Sequence, residues 1–472
     1  MAPLNMEDYM GGAPGAEHLC VLVHGLWGNP KHMASLARAL RAQFPPEQVH
    51  ILVAKRNSGS FTYDGIELGG ERVCTEIEEK LELIRSRGER ITKLSVVGYS
   101  LGGLVARYAI GLLLARGVLD DLECMNFTAF ASPFLGVRTP LRGWANHMWN
   151  VLGARTLCMS GRQLFGIDRF RDTGKPLLAV LADPNSIFMR ALARFRRRTL
   201  YANIVNDRSA VYYTTAISAT DPYATLFAAD SNHVANRVRY LPGYEPIILD
   251  PEEPILPPPE QPPENEASPF TMRLSRWAKR VPFVLVLTLL VPVGVVTFLV
   301  NSAIQTIRSH RRVKLHESGR AGINVEDYRV NLWFKEMRSA VEGAYEELNS
   351  AQENEFLDEG GGTVTPSKGD ESLLDADRKQ QRENDSEVNP ETRPLLSRES
   401  TAGGDNLYQT LALAPYQFDA IRALDKLGWR KYPVWIHKHR HSHAAIIVRI
   451  EKPAFDEGKV VLKHWVTEEF LT

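Results

Sequence analysis

Gly98-Tyr99-Ser100-Leu101-Gly102-Gly103 places a serine between glycines two residues away on either side. A serine hydroxyl becomes a nucleophile when a base takes its proton and backbone N–H groups receive the charge that develops on the substrate. A sharp strand-to-helix turn exposes the hydroxyl, and a bulky neighbour two residues away would collide there, which accounts for the glycines. The flanks agree: Leu94–Val97 reads as a buried strand and Leu104–Ala115 as an apolar helix. The N–H of Leu101, at the start of that helix, would face a developing oxyanion. The bland alternative is a tight turn with a capping serine. His24-Gly25-Leu26-Trp27-Gly28 ends the first apolar run. A loop in that place supplies the second oxyanion donor of a nucleophile elbow, and the backbone N–H of Leu26 is the candidate.

With an elbow of this kind the acid and then the histidine follow the serine along the chain. Asp207 lies just past the apolar run Leu200–Val205, where a strand end would present it; Asp168, Asp172, Asp183 and Asp221 lack that placement. Asn206-Asp207 is also turn chemistry, so a purely structural Asp207 stays open. Of the later histidines, His437, His439, His441 and His443 alternate with other residues. On a single strand that spacing would line one face, as a metal site requires, but no carboxylate or cysteine joins them and Lys438 and Arg440 add positive charge. No metal is expected. His443 precedes the apolar run Ala444–Val448 and sits at what reads as a loop-to-strand edge, with His441 as the alternative base.

These residues need a scaffold. Leu19–Val23, Val49–Ala54, Leu94–Val97, Phe127–Ala131 and Leu200–Val205 are short apolar runs. Between them lie helical patterns, such as Val73, Ile77, Leu81 and Ile84. Buried runs alternating with helices predict a mostly parallel sheet covered on both faces, an α/β fold. From Leu135 to Arg198 the pattern loosens, and either a helical cap over the site or a pair of irregular surface helices would fit. Near the C-terminus a helix is expected at Tyr416–Leu427, with strands near Val434, at Ala444–Ile450 and at Lys459–Trp465.

Composition bounds the rest. The 56 basic and 56 acidic residues balance, so there is no basic surplus to drive nucleic-acid binding. Cys20, Cys74, Cys124 and Cys158 show no paired spacing, and Cys20 reads as core, so reduced thiols on a cytosolic face are expected. Residues 1–16 lack the apolar stretch of a signal peptide. Residues 251–270 hold eight prolines and five acids and read as an extended linker. Residues 350–407 are charged and aromatic-poor and read as a disordered insert. The expected organisation is thus a hydrolase-type domain in pieces. Residues 1–250 carry the elbow serine and the acid, 315–349 a helical part, and 408–472 the histidine. The linker and an apolar segment within 273–314 interrupt it.

The His24–Gly28 and Gly98–Gly103 motifs, with Asn203–Arg208 and His441–Arg449, resemble the fungal serine esterase family that includes the yeast lipid-droplet phospholipase. The likeness runs over residues 18–140, 199–217, 313–349 and 410–465. It implies an α/β-hydrolase fold and cleavage of lipid acyl esters without a cofactor, and it favours Ser100, Asp207 and His443 as the triad.

Residues 281–307 carry no charge. Twenty apolar helical residues span roughly 30 Å, enough for a bilayer core. A single crossing would put Ser100 and Asp207 on one side and His443 on the other. Basic residues flank the segment at both ends, Arg273, Arg276, Lys279 and Arg280 before and Arg308, Arg311, Arg312 and Lys314 after, which favours both ends in the cytosol. A re-entrant hairpin broken near Pro292 and Gly294 satisfies both constraints and suits a bilayer leaflet or a lipid-droplet monolayer. A simple span and a helix buried against the domain are the alternatives. The expectation is a lipid ester hydrolase, and the resemblance tilts its substrate toward phospholipid over neutral glyceride. It would sit on the cytosolic face of the endoplasmic reticulum or a lipid droplet. An acyltransferase, a peptidase, a thioesterase or a non-catalytic lipid-surface scaffold are its rivals. Nothing in the sequence identifies a protein partner.

Overall fold

The computed structural model describes residues 9–137, 158–207, 209–224, 237–256, 307–309, 311–315, 410–411 and 413–472. Six strands form one parallel sheet: β1 (His18–Val23), β2 (Val49–Val53), β3 (Lys93–Tyr99), β4 (Glu123–Phe130), β5 (Arg197–Asn203) and β6 (Arg430–Val434), in the order β2-β1-β3-β4-β5-β6. Register places Leu19 beside Leu94 and Val23 beside Gly98. The apolar runs are buried on both faces because successive side chains point to opposite sides. Leu19, Val21 and Val23 enter one core with Leu94, Val96, Phe127 and Leu200. Cys20 and Leu22 enter the other with Val97, Phe130, Tyr201 and Val434. This is the expected α/β-hydrolase class of fold.

The first face is covered by α2 (Ile66–Ser86) and α3 (Leu101–Ala115), the second by α1 (Ala34–Gln43) near β1 and β2. The loosely patterned region after Leu135 contributes α4 (Met159–Leu164), α5 (Leu177–Leu181) and α6 (Ile187–Ala193). These are core elements of the first face, and α7 (Tyr212–Thr215), after β5, adds Tyr213 to it. Phe188 of α6 lies on Tyr108 of α3 with ring centroids 4.8 Å apart. Ser160 and Gln163 of α4 accept the N–H groups of Gly65 and Ile66 at 3.0 and 2.6 Å, fixing the start of α2. Residues 138–157, which hold Trp144, Met148 and Trp149, lie outside the described residues.

The expected strands at Ala444–Ile450 and Lys459–Trp465 are not strands. Helix α9 (Ser442–Ala445) and a following turn occupy the first, and α10 (Glu457–His464) the second, while the helix expected near Tyr416 is α8 (Pro415–Asp425). A short apolar run such as Ala444–Val448 has no period that separates strand from buried helix. In α10 the signal was there. Val461, Leu462 and Trp465 are buried while Lys459 and Lys463 are exposed, the one-sided face of a helix. Trp465 closes the second core, edge-on to Phe130 at 5.5 Å.

All four cysteines are buried thiols without disulfides. Among the described residues no helix is long and apolar enough to cross a membrane. The linker from residue 257, nearly all of the charge-free run at 281–307, the stretch 316–349 and the charged tract 350–407 lie outside the described residues.

Candidate active site

Strand β3 ends at Tyr99 and α3 begins at Leu101, so Ser100 is the single residue that turns the chain between them. Its φ of 55° and ψ of −130° lie in a region that side chains avoid, at a cost of about 1–3 kcal/mol. The surroundings hold it there. Its N–H donates to the carbonyl of Phe130 at 2.9 Å, and its carbonyl accepts from Oγ of Ser132 at 2.7 Å. The turn closes only without side chains at its glycines. A Cβ on Gly98 would lie 2.3 Å from Cα of Gly103.

Asp207 and His443 converge on this serine from distant parts of the chain. Nε2 of His443 lies 2.9 Å from Oγ of Ser100, and Nδ1 lies 2.9 Å from Oδ2 of Asp207. An ionised carboxylate only accepts, so Nδ1 carries the imidazole proton and Nε2 is left to accept from the serine hydroxyl. Asp207 follows β5 and is buried. Its Oδ1 accepts from the N–H groups of Ser209 and Ala210 at 3.1 and 2.8 Å, and its Oδ2 also accepts from Nδ2 of Asn203 at 2.8 Å. The turn chemistry read from Asn206-Asp207 is therefore real as well. Asn206 has a φ of 62°, and that turn aims the carboxylate.

His443 sits in the first turn of α9 rather than at a strand edge. Ser442 donates from Oγ to the carbonyl of Val205 at 2.8 Å, tying α9 to the chain just before Asp207. Tyr99 donates its hydroxyl to the carbonyl of His443 at 3.0 Å, and burial pushes that phenol well above its usual range, so it stays a donor. Sequence reading missed Asn203, Ser132, Ser442 and Tyr99 as supports. Only Asn203 has its partner nearby in the chain, four residues on; the other three are defined by partners brought close by folding.

The other histidines of the run are engaged elsewhere. His437 stacks on Trp435 at 4.4 Å, and Nδ1 of His439 accepts from the N–H of His441 at 3.0 Å while its Nε2 lies 3.0 Å from Nζ of Lys452. Among the described residues no group of three His, Cys, Asp or Glu side chains could hold a metal ion.

The loop after β1 lies against the nucleophile. A Cβ on Gly25 would stand 2.6 Å from Cβ of Ser100 and 2.9 Å from the carbonyl of Tyr99, so the backbone approaches as only glycine allows. Neither the N–H of Leu26 nor that of Leu101 donates to an acceptor among the described residues. His24 is buried, and burial lowers its pKa, keeping the ring neutral beside this loop. A hydroxyl donating to a neutral imidazole, an imidazole fixed by a buried carboxylate, and two unspent N–H groups nearby form the equipment of acyl transfer.

Residues 14–220 match the model of the family described as "Putative serine esterase (DUF676)". That stretch, less than half of the chain, is similar to this family. Ser100 and Asp207 fall within the matched domain and His443 beyond it. The protein named "Putative lipase ROG1" of Saccharomyces cerevisiae is 30% identical over 250 residues, covering 51% of this chain and 33% of that protein. "Putative lipase YDL109C" of the same yeast is 31% identical over 210 residues, covering 43% of this chain and 31% of the relative. The chain thus spans about a third of the length of these relatives. Among solved structures, Est1E from Butyrivibrio proteoclasticus is 16% identical, with a TM-score of 0.24, over 42% of this chain and 72% of that one.

Removing Asn203 tests how the site holds its acid. The amide donates to the same oxygen that His443 uses, and its loss leaves a buried carboxylate short of one donor. Asn203→Ala should lower kcat on a soluble ester roughly ten- to a hundredfold, as expected for a lost hydrogen bond to a charged group, with KM unchanged. Steady-state kinetics checks this, and an unchanged kcat would mean that the backbone turn alone orients Asp207.

Proposed function

We propose that the protein hydrolyses lipid acyl esters, with glycerophospholipids as the preferred class, at a membrane or lipid-droplet surface that its catalytic groups face from the cytosol. The observation that carries the reading is the hydrogen-bonded chain from Ser100 through His443 to Asp207, anchored in a strained elbow. In this reading Ser100 Oγ attacks the acyl carbonyl as Nε2 of His443 takes its proton. The carbonyl oxygen gains the negative charge and is received by the N–H groups of Leu26 and Leu101. Collapse of the tetrahedral intermediate breaks the ester C–O bond, and the imidazolium returns the proton to the departing alcohol. Water, deprotonated by the same imidazole, then attacks the acyl-enzyme and releases the fatty acid with Ser100 restored.

The lipid part of the proposal draws on two further observations. The relatives carry lipase names, and the chain contains an uncharged run at 281–307 flanked by basic residues. A hairpin of that run in one leaflet would keep Ser100, Asp207 and His443 on the same side of the membrane.

The test compares fatty-acid release from phospholipid vesicles and triglyceride emulsions, with and without an alcohol acceptor, alongside labelling by a fluorophosphonate. Wild type should be labelled and release fatty acid faster from phospholipid, and Ser100→Ala should do neither. Labelling that persists in Ser100→Ala overturns the assignment of the nucleophile. Faster release from triglyceride would name a glyceride lipase, and transfer to the alcohol an acyltransferase.

A further inference from the structure

Trp27 is a costly residue to leave in water. Its indole is 57% exposed, its φ is 55°, and its conformation is nevertheless fixed. Its N–H donates to Oγ1 of Thr62 at 3.0 Å and its Nε1–H to the hydroxyl of Tyr63 at 2.6 Å. The carbonyl of Gly28 accepts from the N–H of Gly59 at 2.8 Å, so the loop beside Ser100 and the turn at residues 59–64 form one plate. Phe61 projects from the same plate and is 42% exposed.

The plate is also where the charge-free run enters the described structure. The run ends at Ile307, and residues 307–309 and 311–315 are helical, with Ile307 and Leu315 exposed. Arg312 ties this short stretch down. Its guanidinium donates to both carboxylate oxygens of Asp64, at 2.7 and 3.0 Å, and to the carbonyl of Ser60 at 2.9 Å. Asp64 has a wholly buried side chain and also accepts from Arg72 at 2.6 Å. The two guanidiniums lie over the ring of Phe61, 4.9 and 5.0 Å from its centroid. Arg308, Arg311 and Lys314 remain exposed beside it.

We propose that this rim is the surface by which the protein seats on a phospholipid membrane: Trp27 and Phe61 enter the interfacial layer, the exposed basic residues meet anionic head groups, and the Arg312–Asp64 tie holds the end of the charge-free run there. Exposed indole and phenyl rings beside lysine and arginine suit the boundary between head groups and acyl chains. A protein partner would leave the adjoining 26 uncharged residues at 281–306 unexplained, whereas a lipid surface accommodates them. Because Gly25 abuts Ser100 and Trp27 lies two residues on, seating this rim brings the loop beside the nucleophile to the lipid. The inference rests on the proposed lipid substrate for its purpose and for the hydrolysis arm of its test, but not for the labelling arm.

In the full chain carrying Ser100→Ala, which cannot turn over lipid, Phe61→Cys is labelled with an environment-sensitive dye. Leu83→Cys serves as the comparison: it is 45% exposed and lies about 25 Å along α2 from its start. The four native thiols are buried. Phosphatidylcholine vesicles containing a minor fraction of phosphatidylserine should shift the dye at position 61 to the blue and leave the dye at 83 unmoved. With Ser100 intact, Arg312→Gln should cut hydrolysis of the same vesicles at least about fivefold while a soluble short-chain ester is cleaved within about twofold of wild type. No shift at 61, an equal shift at both positions, or equal losses on both substrates overturns the proposal. A shift at 61 in a protein whose wild type cleaves no ester leaves the docking surface standing and sinks the hydrolase reading instead.

Discussion

His443→Ala should lower kcat for a soluble short-chain ester by about 10⁵- to 10⁶-fold, and Asp207→Asn by about 10⁴-fold, with KM nearly unchanged in both. The imidazole is placed to take the serine proton at 2.9 Å, and no other base stands at that oxygen among the described residues. Without it, attack on the carbonyl would require an unassisted hydroxyl. Asp207→Asn acts differently. The amide could still reach Nδ1, but it can donate there, which would push the imidazole proton to Nε2 and point it at the serine. The base would then sit in place in the wrong tautomer. The two changes should also fail to add, because the groups act as one unit, and the double variant should be about as slow as His443→Ala alone. His441→Ala supplies the comparison. Its side chain is exposed, so activity should stay within about twofold of wild type. Loss of activity in His441→Ala with survival in His443→Ala would reverse the assignment of the base.

The serine and the loop before it were legible in the sequence because their chemistry depends on neighbours in the chain. Gly98, Gly102 and Gly25 are required by close approach, and the runs at residues 94–97 and 19–23 are strands for the reason their composition suggests. Asp207 was half legible: its place after a strand could be read, but the turn that aims it and the amide of Asn203 could not. His443 was selected partly for a wrong reason, since the strand expected to present it is a short helix. What distinguishes it from His441 in space is the turn of α9, pinned by Ser442 to Val205, and a period-two reading could not see that. The rim at Trp27, Phe61 and Arg312 was hidden for another reason. Arg312 reads as one of several basic residues flanking an apolar run, and only the buried carboxylate of Asp64, 248 residues earlier, gives it a place.

Gly102→Ala should cost both stability and nearly all activity, although it adds one methyl group. A Cβ there would stand 2.2 Å from the carbonyl oxygen of Val23 and 2.6 Å from that of His24. Both are backbone atoms, at the end of β1, a strand paired on both sides, and neither can rotate away. Relief requires the first turn of α3 to draw back from β1. That motion separates the two proposed oxyanion donors, because Leu101 moves with α3 and Leu26 stays with the loop after β1. Overpacking of this kind costs about 1–3 kcal/mol, so the melting midpoint should fall by roughly 3–10 °C. A displacement of about 1 Å among positioned groups costs around a hundredfold in rate, so kcat should fall at least that far in the protein that still folds. Gly88→Ala separates this from the general cost of replacing a glycine. Gly88 has a φ of 78° but nothing within 4 Å of a Cβ, and it caps the far end of α2. It should lose about 1 kcal/mol of stability and no activity. Differential scanning calorimetry and ester hydrolysis on both variants decide it. If Gly102→Ala keeps wild-type kcat, the junction of α3 with β1 is looser than a site built from these two N–H donors can tolerate, and the oxyanion role of Leu26 and Leu101 falls with it.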